Sequence, residues 1–258
     1  MVRMKTNCMR LLLTAATLGT VATMGAGSAE AVSIKSITSA TDYSNFINGT
    51  FSNDDTSGFG TRLIDFNSSP FTTGSIVDPS TVSPGRNQEA TFSGLGRVVT
   101  GSKSGQYAAP AANAEGGSSD TLDTTPYLTL GGSDEPGPVT LKFKYPIIST
   151  LGFLWGSVDG YNSVEFFRGA DSRGLFNGSN VLSPANGDQS PSGTYFVNFM
   201  ADDEADWFDS VVFTSTQAAF EIDDIRYTEI PTPALLPGLV GIGVAALRKR
   251  KGEKTAEA

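Results

Sequence analysis

Strict alternation of apolar and polar residues is the clearest structural signal in this chain. Residues 139–145 read Val-Thr-Leu-Lys-Phe-Lys-Tyr, so every second side chain is apolar. A strand with one buried face and one wet face requires this period. Pro146 follows and interrupts the pattern, since proline has no N–H to donate to a ladder. The pattern predicts a half-buried β-strand that ends at about residue 145.

Shorter apolar clusters predict more strands. Residues 151–158 and 163–167 read as two central strands, joined by a hairpin-like turn at 159–162 that begins with Asp-Gly. Further strands are expected at 194–200, 210–214 and 220–227, and long loops at 72–85 and 101–120. No helical repeat lasts over three turns between residues 32 and 230. About ten short strands with regular turn signals predict an all-β fold, an antiparallel β-sandwich of jelly-roll type.

The last predicted strand changes phase in the middle. Phe220 and Ile222 share one phase, whereas Ile225 and Tyr227 are shifted by one residue. A β-bulge inserts one extra residue into a strand and so restores a common face. We therefore expect a bulge at residues 223–224.

The amino end has the pattern of an export signal. Cations precede an apolar stretch over residues 11–24, and the small residues Ala29 and Ala31 follow, two positions apart. Signal peptidase recognises this order, so residues 1–31 are predicted to be a signal peptide cleaved after Ala31. A membrane anchor that stays in place is the alternative.

The carboxyl end has the pattern of a short membrane segment. Residues 231–247 carry no charge and are rich in Gly, Leu, Val and Ala. Such a stretch is at the lower limit of what crosses a bilayer, and we expect a membrane-spanning helix over 234–247. The basic cluster after it predicts a cytoplasmic stop, which leaves the preceding domain outside the cytoplasm. A buried core helix is the alternative. The stop consists of Arg248, Lys249, Arg250 and Lys251.

The same tail resembles the PEP-CTERM sorting signals, in the variant with a Pro-Thr-Pro-Ala motif, here Pro231, Thr232, Pro233 and Ala234. The resemblance implies that exosortase, a membrane-embedded protease, cuts near the motif after the tail has held the protein in the membrane. The combination of residues 152–157 with 159–162, together with residues 220–226, also resembles cyanobacterial exosortase-dependent surface proteins. The expected organisation is a signal peptide (1–31), an extracytoplasmic β-sandwich (32–230) and a sorting tail (231–258).

Composition narrows the possible chemistry. The chain has no histidine, which excludes imidazole metal ligands and every catalytic arrangement that needs His. Its only cysteine, Cys8, lies in the predicted signal peptide. Between residues 32 and 230, 10 Lys and Arg stand against 24 Asp and Glu, a net charge of −14. A domain this acidic is not expected to bind nucleic acid.

One acidic turn is a candidate calcium site. Five carboxylates occur within eight residues, beside an aromatic side chain, Trp207, that could stack on a sugar ring. Carboxylate oxygens are ligands that Ca²⁺ prefers, although the order does not match an EF-hand loop. A solvated acidic turn is the alternative. The five carboxylates are Asp202, Asp203, Glu204, Asp206 and Asp209.

Catalysis by two carboxylates is the chemistry left for a glycan-cleaving enzyme without histidine. Glu165 and Glu221 are the candidate acids, but no spacing pairs them, and the alternation turns Glu165 toward solvent. Tyr161 is a further candidate for sugar stacking, whereas Trp155 lies inside an apolar run and is expected in the core.

Three functional hypotheses follow. The first is a non-enzymatic structural or adhesive protein of the cell surface or the exopolysaccharide layer. The second is a Ca²⁺-dependent carbohydrate-binding module, and the third is an extracellular glycan-acting enzyme. The terminal patterns predict that the protein is first anchored in the membrane by its carboxyl-terminal span and is then surface-bound or released.

Overall fold

The structure is a computed structural model, and it describes residues 31–40, 42–43, 62–78, 80–82, 89–111, 122–134, 136–144 and 148–230. The predicted signal peptide before residue 31 and the sorting tail, with its motif, span and basic stop, lie outside these residues. Within the described part, no helix is both long enough and apolar enough to cross a membrane.

Thirteen strands and two short helices have their bounds within the described residues. The strands are β1 (Val32–Ser39), β2 (Arg62–Ile64), β3 (Ser80–Val82), β4 (Ala90–Gly94), β5 (Arg97–Val99), β6 (Tyr127–Leu130), β7 (Val139–Phe143), β8 (Ile148–Gly156), β9 (Asn162–Arg168), β10 (Asp171–Asn177), β11 (Tyr195–Ala201), β12 (Ser210–Ser215) and β13 (Phe220–Glu229). The helices are α1 (Gly178–Val181) and a 3₁₀ turn at Pro191–Gly193.

The strands form two antiparallel sheets. The front sheet has the order β1-β11-β8-β13-β6-β5, with β2 also paired to β13. The back sheet has the order β10-β9-β12-β7-β4-β3. Apolar side chains of both sheets meet in one core between them. The predicted all-β sandwich is therefore confirmed.

The alternation that predicted β7 is confirmed over Val139–Phe143, whereas Tyr145 and Pro146 lie outside the described residues. Val139, Leu141 and Phe143 are buried, whereas Lys142 is exposed. One predicted loop contains a strand, because Ser80–Val82 pairs with β4 as the edge of the back sheet. A three-residue edge strand has too little periodicity to stand out from a loop.

The hairpin predicted between β8 and β9 is wrong. β8 pairs with β11 and β13 in the front sheet, whereas β9 pairs with β10 and β12 in the back sheet. Both strands are central, as expected. The local turn is also present, with the Asn162 N–H donating to Asp159 O at 3.2 Å. An Asp-Gly signal predicts a local change of direction and carries no information about which strand pairs next.

Aromatic rings fill much of the core. Trp155 is fully buried, as predicted, and its ring stacks at 5.6 Å from that of Phe153. Phe153 in turn meets Phe213 of the back sheet edge-to-face at 5.3 Å. Burying each large apolar side chain contributes roughly 1.5–3 kcal/mol, so these contacts hold the two sheets together.

The outer face of the front sheet is covered by a second layer. Tyr43 stacks flat on Phe196, with the ring centroids 4.4 Å apart and the planes 5° from parallel. A Cβ at Gly152 would lie 2.6 Å from the Phe196 ring, so only glycine admits this packing. Further along the sheet, Ala109 and Tyr127 form another small apolar cluster. The front sheet is thus buried on both faces over much of its area.

The predicted bulge in β13 is confirmed. The pairing of β13 with β8 shifts register between Asp223 and Arg226, and Asp224 has a φ of +48°. Aspartate is among the few residues that adopt this left-handed conformation readily. As a result, Ile225 and Tyr227 rejoin the interior face that begins with Phe220.

Ala31, the first described residue, is hydrogen-bonded to both sheets. The Ala31 N–H donates to Arg173 O of β10 at 3.0 Å, and Ala31 O accepts from the Asp202 N–H, just after β11, at 3.1 Å. Val32 is fully buried. Ala31 is therefore part of the folded domain, although the predicted cleavage after it would remove it.

A chain that begins at Val32 is expected to be less stable than one that begins at Glu30. It loses both hydrogen bonds of Ala31 and places a charged amino group at a buried residue, which together should cost about 2 kcal/mol. Urea unfolding of the two chains, both ending at Ala258, measures the difference. Equal free energies of unfolding would contradict a structural role for Ala31.

Candidate functional site

Loops and strand ends converge on a cavity of about 80 Å³ at one end of the sandwich, called here the end cavity. They are the loop before residue 108, the β8–β9 connection, the loop before the 3₁₀ turn, the β12–β13 turn and the start of β13. The polar lining combines carboxyls, hydroxyls and amides. These groups belong to Asp159, Glu221, Ser157, Tyr107, Tyr161, Gln106 and Gln189.

Glu221 lines the cavity from the outer face of β13. Its side chain is 1% exposed and accepts hydrogen bonds from the Ser157 hydroxyl at 2.5 Å and the Ala108 N–H at 2.9 Å. Burial raises the pKa of Glu221 to about 7, although both hydrogen bonds favour the ionised carboxylate. The residue is therefore able to exchange a proton near neutral pH.

Asp159 supplies the second carboxyl from the β8–β9 connection. The Tyr161 hydroxyl donates to Asp159 Oδ2 at 2.5 Å. Burial raises the pKa of Asp159, whereas the bond from Tyr161 opposes that shift. Gly187 lets the neighbouring loop approach closely, because its φ is +67° and a Cβ there would lie 2.5 Å from Asp159 Oδ2.

A buried amide fixes the wall formed by the β12–β13 turn. Asn162 donates from Nδ2 to Ala219 O at 3.0 Å and accepts from the Ser215 hydroxyl at 2.6 Å. Asn162 itself is fully buried. These bonds link the start of β9 to both ends of the turn, so the wall is held in place before any ligand arrives.

Further buried charges continue from Glu221 along the same face. The Tyr43 hydroxyl donates to Asp224 Oδ2 at 3.1 Å and accepts from Arg226 Nε at 2.8 Å. Burial raises the pKa of Asp224 to about 7, while Arg226 and Tyr43 lower it. Burial, reinforced by Asp224, also raises the pKa of Asp223. The face therefore holds several acids beside the buried cation Arg226.

The predicted calcium turn joins β11 to β12 and lies away from the end cavity's lining. Asp203 accepts from the Ala205 N–H at 2.7 Å, and Asp209 accepts from the Gly169 N–H at 2.7 Å. Asp202 accepts from the Ser33 hydroxyl at 2.8 Å. Glu204 is exposed, and Asp206 and Trp207 are half-buried. Among the described residues, no three acids are placed to hold one metal ion. The calcium site at this turn stays a prediction.

Two residues considered from the sequence meet in the cavity, namely Tyr161 and Glu221. Glu165 does not, because it lies on the outer face of the back sheet and accepts from the Ser172 hydroxyl at 2.7 Å. Sequence reasoning missed Ser157 and Asp159. The Asp-Gly pattern predicts only a turn at Asp159, and no local pattern shows that this residue lies near Glu221.

Comparisons of this chain with protein-family models, with curated proteins and with solved structures each found no match. The interpretation of the end cavity therefore depends on its own geometry and chemistry.

The pH dependence of stability should report the buried acid Glu221. Its pKa is about 7 in the folded chain and near 4.3 in the unfolded chain. Between about pH 4.3 and pH 7 the folded state therefore keeps a proton that the unfolded state has released. The stability that the chain owes to the protonated Glu221 side chain is fully present below about pH 4.3 and is lost as the pH rises to about 7. Glu221→Gln stays neutral, so it should match the parent near pH 4.5 and be more stable by about 2–3 kcal/mol at pH 7.5.

Urea unfolding at both pH values measures this difference. Glu165→Gln is the matched control, because it removes one acid from the outer face of the back sheet. A stability difference between Glu221→Gln and the parent that does not change with pH would contradict the assignment.

Proposed function

We propose that this chain is an exported protein of the cell surface or extracellular matrix, with a non-enzymatic adhesive role in which the end cavity binds glycan. The observation that supports this proposal is the lining of the cavity. Two carboxyls, two amides and two tyrosines converge there on one small space.

These groups suit a polyhydroxylated ligand. Carboxylate and amide oxygens accept from sugar hydroxyls, and amide N–H groups donate to sugar oxygens. Tyrosine offers an apolar ring for the C–H face of a sugar together with a polar hydroxyl. Since Asp159 and Glu221 are already held by hydrogen bonds from neighbouring residues, a ligand would meet acceptors whose positions are fixed.

Export and sorting are part of the same proposal and rest on the terminal sequence patterns. Signal peptidase would release the chain near Ala29 to Ala31. The span at 234–247 would hold it in the membrane, with Arg248 to Lys251 inside. Exosortase would then act near the motif at 231–234 and leave the sandwich at the surface or in the exopolysaccharide.

Intact mass of the native protein from envelope and medium fractions tests this processing. We expect a species that lacks the signal peptide and ends near residues 231–234. A species that retains residues 235–258 would contradict sorting by exosortase and make the tail an ordinary anchor. The sandwich's glycan binding would remain to be judged separately.

Glycan retention tests the adhesive role. The purified full-length chain should bind at least one member of a panel of immobilised neutral, amino and acidic polysaccharides. Tyr161→Ala should weaken that binding about tenfold or more, because it removes both the ring and the hydroxyl that holds Asp159. Glu165→Gln is the control and should bind as the parent does. Binding that disappears with a calcium chelator would favour the calcium-dependent alternative.

A glycan-cleaving enzyme is the second candidate, favoured by one observation. Glu221 has a pKa of about 7 and lines the same cavity as Asp159, and glycosidases use a protonated and an ionised carboxyl together. Chromatography of the glycan after incubation decides between the two roles. Release of shorter products by the parent but not by Glu221→Gln would establish turnover and reject the non-enzymatic role.

A further inference from the structure

The charged residues that line the end cavity are all acidic. Its lining residues in the described chain include two acids, Asp159 and Glu221, and no lysine or arginine. The chain has no histidine to take the place of either cation. The buried arginine on the same sheet face, Arg226, is engaged with the hydroxyl of Tyr43. A ligand without positive charge would therefore meet two partly desolvated carboxyls whose charge no cation among the described lining residues balances.

We infer that the end cavity takes the protonated primary amine of an amino sugar, so that the preferred glycan contains de-N-acetylated hexosamine units. This inference rests on the proposed glycan binding and names the class of sugar. An ammonium group carries three donors and one charge, and the cavity lining offers it the carboxyls of Asp159 and Glu221 and the side-chain amides of Gln106 and Gln189.

The tyrosines add to this preference. Tyr107 and Tyr161 both line the cavity and are only partly buried. The face of a tyrosine ring attracts a cation that lies within about 6 Å of its centre. The same rings can pack against the carbon face of the sugar, so an amino sugar would use both properties of each ring.

Other glycans fit less well for stated reasons. A uronic acid or a sulfated sugar would bring a negative charge toward Asp159 and Glu221, and like charges repel. An N-acetylated hexosamine loses the positive charge and adds an acetyl group, while the space available is about 80 Å³. A neutral hexose can form hydrogen bonds but does not compensate the carboxylates.

Calorimetric titration of the full-length chain tests the inference with two probes. One is a fully de-N-acetylated chitosan oligosaccharide, and the other is its fully N-acetylated counterpart of the same length. We expect the amino probe to bind at least tenfold more tightly. Asp159→Asn and Glu221→Gln should each weaken its binding about tenfold or more, since each removes one charge-assisted contact.

Glu165→Gln is the control for general charge attraction, because it removes the same charge from the back sheet and should leave binding unchanged. A thermal unfolding transition recorded for each variant shows that it is folded. If Glu165→Gln weakens binding as much as the cavity variants do, the attraction is unspecific and the inference is wrong.

The remaining outcomes separate this inference from the proposed function. Equal binding of both probes, weakened by Asp159→Asn, would overturn the preference for an amine and leave glycan binding intact. Binding of neither probe, together with no retention on the polysaccharide panel, would overturn both. Calcium binding at the cavity in place of the amine, lost in Glu221→Gln, would also overturn the preference.

Discussion

The phase change in β13 is the constraint on which the other features depend. This strand pairs with β8, β6 and β2, so its register is shared with much of the front sheet. Without the bulge, Ile225 and Tyr227 would face outward, and Asp224 and Arg226 would enter the apolar interior. A buried charge without partners costs several kcal/mol, so the unbulged register is strongly disfavoured. The positive φ of Asp224 is the local cost of avoiding it.

The bulge also determines what lies on the other face of the strand. Glu221 and Asp223 face outward together with Arg226, and the covering segments bury all three. Burial removes these acids from water and so destabilises their ionised forms. The pKa values of Glu221, Asp223 and Asp224 are raised for this reason. Hydrogen bonds from Ser157, Ala108 and Tyr43 offset part of it. The domain thus keeps groups that would be more stable in water, and the end cavity is where one of them meets a space open to a ligand.

Particular elements show how far the sequence could be read. The alternation at β7 and the bulge in β13 were both predictable, because each is a local pattern of side chains imposed by the pleat. The pairing of β8 and β9 was not, since a turn signal does not specify which sheet the next strand joins. Local alternation also does not show that the outer face of the front sheet is covered, because segments distant in sequence fold over that face. Tyr43 and Phe196 stack across more than a hundred residues of chain, which no local pattern can show.

The sequence by itself determined the all-β class, the alternating strands, the acidic balance and the absence of histidine chemistry, because all four depend on composition and on short-range periodicity. It also carries the terminal patterns that predict export and sorting. Only the tertiary structure decided that Asp159 and Glu221, 62 positions apart in the chain, line one cavity. Their proximity results from strand pairing and from the packing of loops at one end of the sandwich. Both depend on contacts between residues far apart in sequence, so the candidate site appears only when the chain is folded.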